Sequence, residues 1–272
     1  MRIGFIGAGS MVAAIARGAV AAGMNGYDFI FTDLNRVHAP ALAAELGAST
    51  ARSNTALARE VDILILGVKP NVQPKVINSI AHIVREREDM CVVSLAAGRT
   101  MDAILEDFGA AVPLLRVMPN VNAQIGQSMS AICQTGATEE QIGAVERLMN
   151  AVGRTVRLSE KEFPAFQALA SCAPAWIFQI IESLARAGVK HGLAKDAATV
   201  IAAQALAGSA DLVLDARDRG IIPSGLIDQV CSPGGTTIVG LLAAQEAGLS
   251  TSLVKAVDAA IAKDAEISAR AR

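Results

Sequence analysis

Ser232-Pro233-Gly234-Gly235-Thr236-Thr237 sets two glycines beside hydroxyl side chains, ahead of a run that reads as a helix from Thr236 to Ala247. Glycine leaves the backbone open to close approach, and the unpaired amides of a first helical turn favour a carboxylate or phosphate. Ser232, Gly234, Gly235, Thr236 and Thr237 are therefore candidate ligands for an anionic substrate group, with helix capping as the competing use of the same residues. A second glycine turn, Gly7-Ala8-Gly9, follows a short apolar strand and opens a helix, the context in which a G-x-G pattern marks a dinucleotide pyrophosphate site. Its third fingerprint position is Val12, where Gly or Ala is usual. Asp33 ends the next strand, where a carboxylate can take both hydroxyls of an adenosine ribose and repels a 2′-phosphate. Asn35 and Arg36 follow at once, and an Arg there can hold that phosphate. The sequence leans to NADH and leaves NADPH open.

The remaining side chains narrow the chemistry. Reduction of a ketone generally uses a His or Lys to exchange a proton with oxygen. His38, His82 and His191 read as solvated or capping residues, and neither Lys190 nor Lys195 is followed four residues later by the Asn or Asp that marks β-hydroxyacid dehydrogenases. No nucleophile elbow or zincin helix occurs. Cys91, Cys133, Cys172 and Cys231 form no CxxC pair and have no zinc spacing, so no metal is expected and the thiols read as free in a reducing compartment. An imine suits this inventory, because a protonated C=N carbon is already electrophilic and needs mainly a hydride donor held in line.

The elements that must position these residues alternate at first. Strands are expected at Arg2 to Ile6, Phe29 to Asp33, Val61 to Val68, Met90 to Ser94, Pro113 to Val117 and Met129 to Cys133. Helices are expected at Met11 to Ala22, Val37 to Leu46, Met101 to Phe108 and Glu139 to Ala151. The alternation predicts an α/β Rossmann-like domain with a doubly wound, mostly parallel sheet over residues 1–158. From about Ser159 the pattern becomes helix upon helix, predicting an all-α domain over 159–272. Its Ala- and Gly-rich faces, such as Ala202-Ala203 with Ala207-Gly208, suit close helix packing and a homodimer.

The chain has 272 residues, of which 52% are hydrophobic and only 3% aromatic, with a formal charge of −2 and no Lys/Arg block. That gives no electrostatic footprint for nucleic acid or an anionic membrane. No uncharged apolar run reaches spanning length, and the amino terminus enters a strand directly, so no membrane partner is expected and the location reads as cytoplasmic.

Over essentially its whole length the chain resembles pyrroline-5-carboxylate reductases, in Gly7-Ala8-Gly9-Ser10-Met11, Val68-Lys69-Pro70, Ser94 through Gly98, Arg116 through Asn120, Pro174-Ala175 and the Ser232–Thr237 loop. The resemblance implies a Rossmann domain joined to a helical dimerisation domain, and reduction of L-1-pyrroline-5-carboxylate to L-proline with NADPH or NADH. It implies that Gly7, Ala8, Gly9, Ser10 and Met11 hold the pyrophosphate, and that Val68, Lys69, Pro70, Ala96 and Ala97 lie along the dinucleotide. Asn54 falls near the adenosine ribose, and Asn120 joins the cofactor set through its motif. Gly234, Gly235 and Thr236 would bind the substrate carboxylate, and Thr237 the imine nitrogen, making Thr237 the catalytic candidate. The chain departs from the family pattern at Asn122, where Pro is common, and at Ala170 through Trp176, where the family reads SGSGPAY. A paralogue acting on another cyclic imino acid and a non-catalytic dinucleotide-binding regulator are the alternatives. The homo-oligomer is a dimer at least, with a larger assembly open.

Overall fold

A computed structural model of the chain describes residues 1–35 and 37–270. Arg36, the cation expected to favour a 2′-phosphate, lies outside them. The chain divides into two compact units, Met1–Ser171 with the segment from Ala260 onward, and Cys172–Ala259.

The first unit is built on one sheet of eight strands: β1 (Ile3–Ile6), β2 (Phe29–Thr32), β3 (Ser49–Thr50), β4 (Ile63–Leu66), β5 (Cys91–Ser94), β6 (Leu114–Met118), β7 (Ser128–Thr135) and β8 (Gly153–Arg157). Their spatial order is β3-β2-β1-β4-β5-β6-β7-β8, and every pairing is parallel except β6 with β7. This is the doubly wound order, with the chain reversing direction across the sheet between β1 and β4. Ile63-Leu64-Ile65-Leu66 is apolar throughout because β4 is central: Ile63 and Ile65 enter the core on one face, Leu64 and Leu66 the core on the other. Each such side chain contributes about 1.5–3 kcal/mol by burial. Phe5 stacks on Phe31 at 4.9 Å between ring centres and meets Phe29 edge-on at 5.6 Å, locking β1 to β2 on one face.

The unit boundary falls at Ser171/Cys172, thirteen residues beyond the expected division between 158 and 159. The sheet ends at Arg157 with β8, a strand not among those expected, and the next segment remains attached to the sheet. Glu160 Oε1 accepts from the Met101 N–H at 2.7 Å and from Arg116 Nη1 at 2.9 Å. Phe163 and Phe166 are buried in the sheet's core, and the Arg116 guanidinium carbon lies 4.6 Å above the Phe163 ring.

The helices of the carboxy-terminal half are Ala173–Lys190, Lys195–Arg217, Pro223–Val230, Thr236–Glu246 and Leu249–Arg270, where the sequence predicts Pro174 to Lys190, Lys195 to Asp218, Ser224 to Val230, Thr236 to Ala247 and Ser252 to Ala269. The first two pack tightly through small residues: a Cβ on Gly188 would lie 2.9 Å from the Ala198 methyl. Ala202 is buried, but Gly208, expected in the same close contact, faces open space. Many large apolar side chains in these helices are exposed, among them Phe178, Val200, Ile201, Leu212, Val239 and Leu242. Glu160–Lys190 and Lys195–Arg217 are long and apolar enough, by length and composition, to cross a membrane. That corrects the expectation that no stretch qualifies, because scattered Thr, Gln, Ser and Asp do not bring a mean over eighteen residues below the spanning range.

Candidate functional site

The parallel strands bring most of the predicted nucleotide residues to one edge of the sheet. Gly7–Met11 follow β1, Asp33 follows β2, Val68-Lys69-Pro70 follow β4, Ala96-Ala97 follow β5 and Asn120 follows β6. Asn54, beyond the short edge strand β3, is the first residue of the Asn54–Glu60 helix, whose cap is the Ser53 hydroxyl. This carboxyl edge beside the switch point is where open α/β sheets bind ligands.

Gly7 has φ +98° and donates its N–H to Thr32 O at 2.8 Å. A Cβ there would stand 2.8 Å from the Gly67 carbonyl oxygen, so both conformation and space require glycine. Gly9 caps the Ser10–Ala21 helix with no side-chain cap, and a Cβ on it would meet nothing within 4 Å. The first-turn amides are thus left without a side-chain partner beside open space, which fits a pyrophosphate. Val12 at the third fingerprint position is accommodated by an exchange: its Cγ2 fills the space a Cβ on Gly67 would need. The small residue that usually stands on the helix stands on the strand end instead.

Asp33 Oδ2 accepts from the Ala8 N–H at 2.6 Å, and Oδ1 from the Asn35 N–H at 2.7 Å. The carboxylate therefore shapes the turn as well as facing this edge, and its remaining lone pairs are still able to accept ribose hydroxyls. Lys69 and Ala97 are exposed, and Ala96 is buried.

Asn120 is placed differently from a direct ligand. Its side-chain Nδ2 donates to Ala170 O at 2.9 Å, its Oδ1 accepts from the Asn122 N–H at 3.2 Å, and its own N–H donates to Ser128 Oγ at 3.2 Å. The residue is buried, so it clips β6 and β7 to the Gln167–Cys172 segment. The Asn122 departure belongs to this clip, since a Pro there would have no N–H to give. Ala170 through Trp176 also differ from expectation. Where a close-packed glycine turn is implied, Gln167–Cys172 is a π-helical segment running straight into the Ala173–Lys190 helix, because Ser171 and Ala173 resist the backbone freedom glycine would bring.

The anion loop lies in the second unit. Gly234 has φ +68°, the Gly235 N–H donates to Ser232 O at 3.0 Å, and Gly235 caps the Thr236–Glu246 helix with no side-chain cap and no acidic residue in its first turn. Thr236 and Thr237 are exposed. The competing use of these hydroxyls as caps is therefore not taken up here, and the amides at this positive helix end have no side-chain partner. Burial pushes the Cys91 thiol up to about 12, and burial with the nearby Glu160 carboxylate pushes Cys133 up to about 11, so neither of these two is poised as a nucleophile. The sequence reading missed Gly67 and the Arg116–Glu160 pair. Only the partner across the fold gives either one its meaning.

Comparison with known proteins agrees with this geometry. Residues 160–267 match the family described as pyrroline-5-carboxylate reductase dimerisation, and residues 2–98 match the family described as NADP oxidoreductase coenzyme F420-dependent. The pyrroline-5-carboxylate reductase of Methanosarcina acetivorans is 34% identical over 98% of this chain and 97% of its own length. The structure of a pyrroline-5-carboxylate reductase from Coxiella burnetii superposes with a TM-score of 0.92 at 28% identity, covering 98% of both chains. That of Plasmodium falciparum pyrroline carboxylate reductase, with NADP bound, gives 0.83 at 26% identity and the same coverage. Similarity of this extent, over 98% of the chain, places the chain in the pyrroline-5-carboxylate reductase family.

Proposed function

We propose that this chain is an NAD(P)H-dependent reductase of L-1-pyrroline-5-carboxylate, yielding L-proline. The observation that carries the reading is the loop Ser232–Thr237, whose helix begins with uncapped amides and two exposed threonines in a chain of this family. A sensor of the dinucleotide alone has no use for a second anion cradle. The reduced nicotinamide supplies the hydride for the imine carbon. Gly7 through Met11 offer backbone amides to the pyrophosphate, while Val68-Lys69-Pro70 and Ala96-Ala97 line the dinucleotide. Asn54 and Asp33 face the ribose end, and Asn120 acts through the turn it clips. Gly234, Gly235 and Thr236 bind the substrate carboxylate. The Thr237 hydroxyl bonds the ring nitrogen as it passes from iminium to amine. Mixing the purified protein with NADH and pyrroline-5-carboxylate and following loss of the reduced-cofactor absorbance tests the reading. Absence of turnover while another cyclic imino acid is reduced would assign the departures at Asn122, Cys172, Ala173 and Trp176 to substrate choice.

NADH serves at least as well as NADPH on this reading, because a 2′-phosphate beside the Asp33 carboxylate is electrostatically unfavourable. Asp33→Ser is expected to move the ratio of kcat/KM values toward NADPH by roughly fivefold or more, the scale of one charge repulsion removed near the surface. A wild-type preference above about tenfold for NADPH would mean that a cation dominates the ribose end.

The helical unit carries the family's dimerisation region, and its exposed apolar faces fit a second copy of the chain better than a bilayer. Long amphipathic partners bury such faces without the cost of placing Glu182, Arg186 and Lys195 in hydrocarbon. Sedimentation without detergent is expected to give a dimer or a multiple of it at micromolar concentration. An active monomer, or a protein recovered only in membranes, contradicts this. A cytoplasmic location follows from the same reading, and the four free cysteines support it.

A further inference from the structure

One side chain breaks the pattern of its helix. Gln73–Val84 sends Val76, Ile77, Ile80, Ile83 and Val84 into the core, and Gln73 heads the same stripe, fully buried. Its backbone N–H donates to Lys69 O at 3.2 Å and its side-chain Nε2 donates to Ser94 Oγ at 2.8 Å. Ser94 Oγ, also fully buried, accepts in addition from the Ala96 N–H at 3.3 Å. The Gln73 Oε1 has no partner among the described residues. An apolar side chain would fill this position without leaving a buried polar atom unpaired, so stability alone favours Leu or Met over Gln.

Gln73 meets the turn carrying Val68-Lys69-Pro70 through its backbone, and its side chain reaches the turn carrying Ala96-Ala97 through Ser94, the last residue of β5, whose hydroxyl holds the Ala96 N–H. We propose that Gln73 is a positioning residue, which ties these turns into one prearranged frame for the dinucleotide through Lys69 on one side and Ser94 on the other. The inference rests on the reading that both turns line the dinucleotide. A bound surface assembled from two independent loops would have to be ordered at each binding event, and the buried amide removes that cost beforehand. The polar atom left unpaired is then a loss of stability accepted at a functional site.

Gln73→Met in the full-length protein keeps the length of the side chain and removes both polar ends. Titration of the reduced cofactor's fluorescence is expected to show Kd raised roughly five- to tenfold, the scale of one net hydrogen bond. Tm should be unchanged or higher, and KM for pyrroline-5-carboxylate should not move. Ser94→Ala should weaken binding in the same direction and by at least as much, since it also removes the Ala96 N–H bond, and the double variant should be no weaker than Ser94→Ala alone, where the bond to Gln73 is already lost. A folded Gln73→Met protein with wild-type Kd overturns the proposal, as do effects of the two substitutions that multiply. If Gln73→Met does not fold, an unchanged Kd in Ser94→Ala overturns it. A wild-type protein that binds neither NADH nor NADPH instead overturns the assignment of the turns, which keeps the two failures apart.

Discussion

Thr237→Ala is expected to lower kcat for imine reduction by roughly tenfold or more, the scale of a lost transition-state hydrogen bond worth about 1–3 kcal/mol. The hydroxyl stands in the first turn of the Thr236–Glu246 helix, and a bond from it to the ring nitrogen accelerates the reaction only if it strengthens as iminium becomes amine. Cofactor affinity measured without substrate should be nearly unchanged, because Thr237 belongs to the other compact unit from the glycine turn at Gly7. Thr237→Ser should retain more activity than the Ala variant, since the oxygen remains. The helix has no side-chain cap to lose, so thermal stability should be close to wild type in both variants. Equal kcat in wild type and a well-folded Ala variant would remove Thr237 from the mechanism and leave the Gly234-Gly235 amides with cofactor geometry.

Gly7→Ala is expected to abolish measurable dinucleotide binding or to weaken it by about a hundredfold, equivalent to about 3 kcal/mol. Two costs combine. A φ of +98° is strained for any residue with a Cβ, and that Cβ would press on the Gly67 carbonyl, a backbone atom held by the bond from Gly67 N–H to Ile6 O at 2.9 Å. Relief requires β1 and β4 to part at the edge where the pyrophosphate amides are arranged. Fluorescence titration with NADH measures the loss, and a Tm several degrees lower should accompany it. Gly9→Ala separates backbone strain from ligand contact, since its Cβ meets no protein neighbour and its φ of −74° suits any residue: its Tm should stay near wild type, while a Cβ in the space proposed for the pyrophosphate should still weaken binding. Near-normal binding by Gly7→Ala would show that the turn can move aside.

The two glycine turns were the most legible features of the sequence. A pyrophosphate or carboxylate cradle needs glycine and hydroxyl residues at fixed short spacing, and both turns could be read with the helices they open. The central strands were equally plain, because β4 is buried on both faces and leaves no polar residue to obscure it. What was hidden has a common physical character. β3 is two exposed residues, held by pairing with β2 rather than by any apolar pattern of its own. β8 reads Gly-Arg-Thr-Val-Arg, and only its register with β7 makes it a strand. The Gln73–Val84 helix was missed altogether, its onset obscured by Lys69-Pro70 just before it and by the polar residue heading its apolar stripe. The attachment of Glu160 to Arg116, 44 residues apart, is a tertiary pairing that no local window contains. Asn120 shows the limit from the other side: its motif was recognised, while its three bonds to protein atoms were not foreseeable from the motif.

The reciprocal fit of Val12 and Gly67 bears on how this turn is free to diverge. Any side chain at 67 collides with the valine already in place, whereas shrinking the valine first opens room for one. Exchange of the large and small residues between helix and strand is therefore passable in one order only, through an intermediate that is underpacked rather than overfilled. The two positions should be inherited together, and grafting either residue alone from a relative with the usual fingerprint carries a penalty that the paired graft does not.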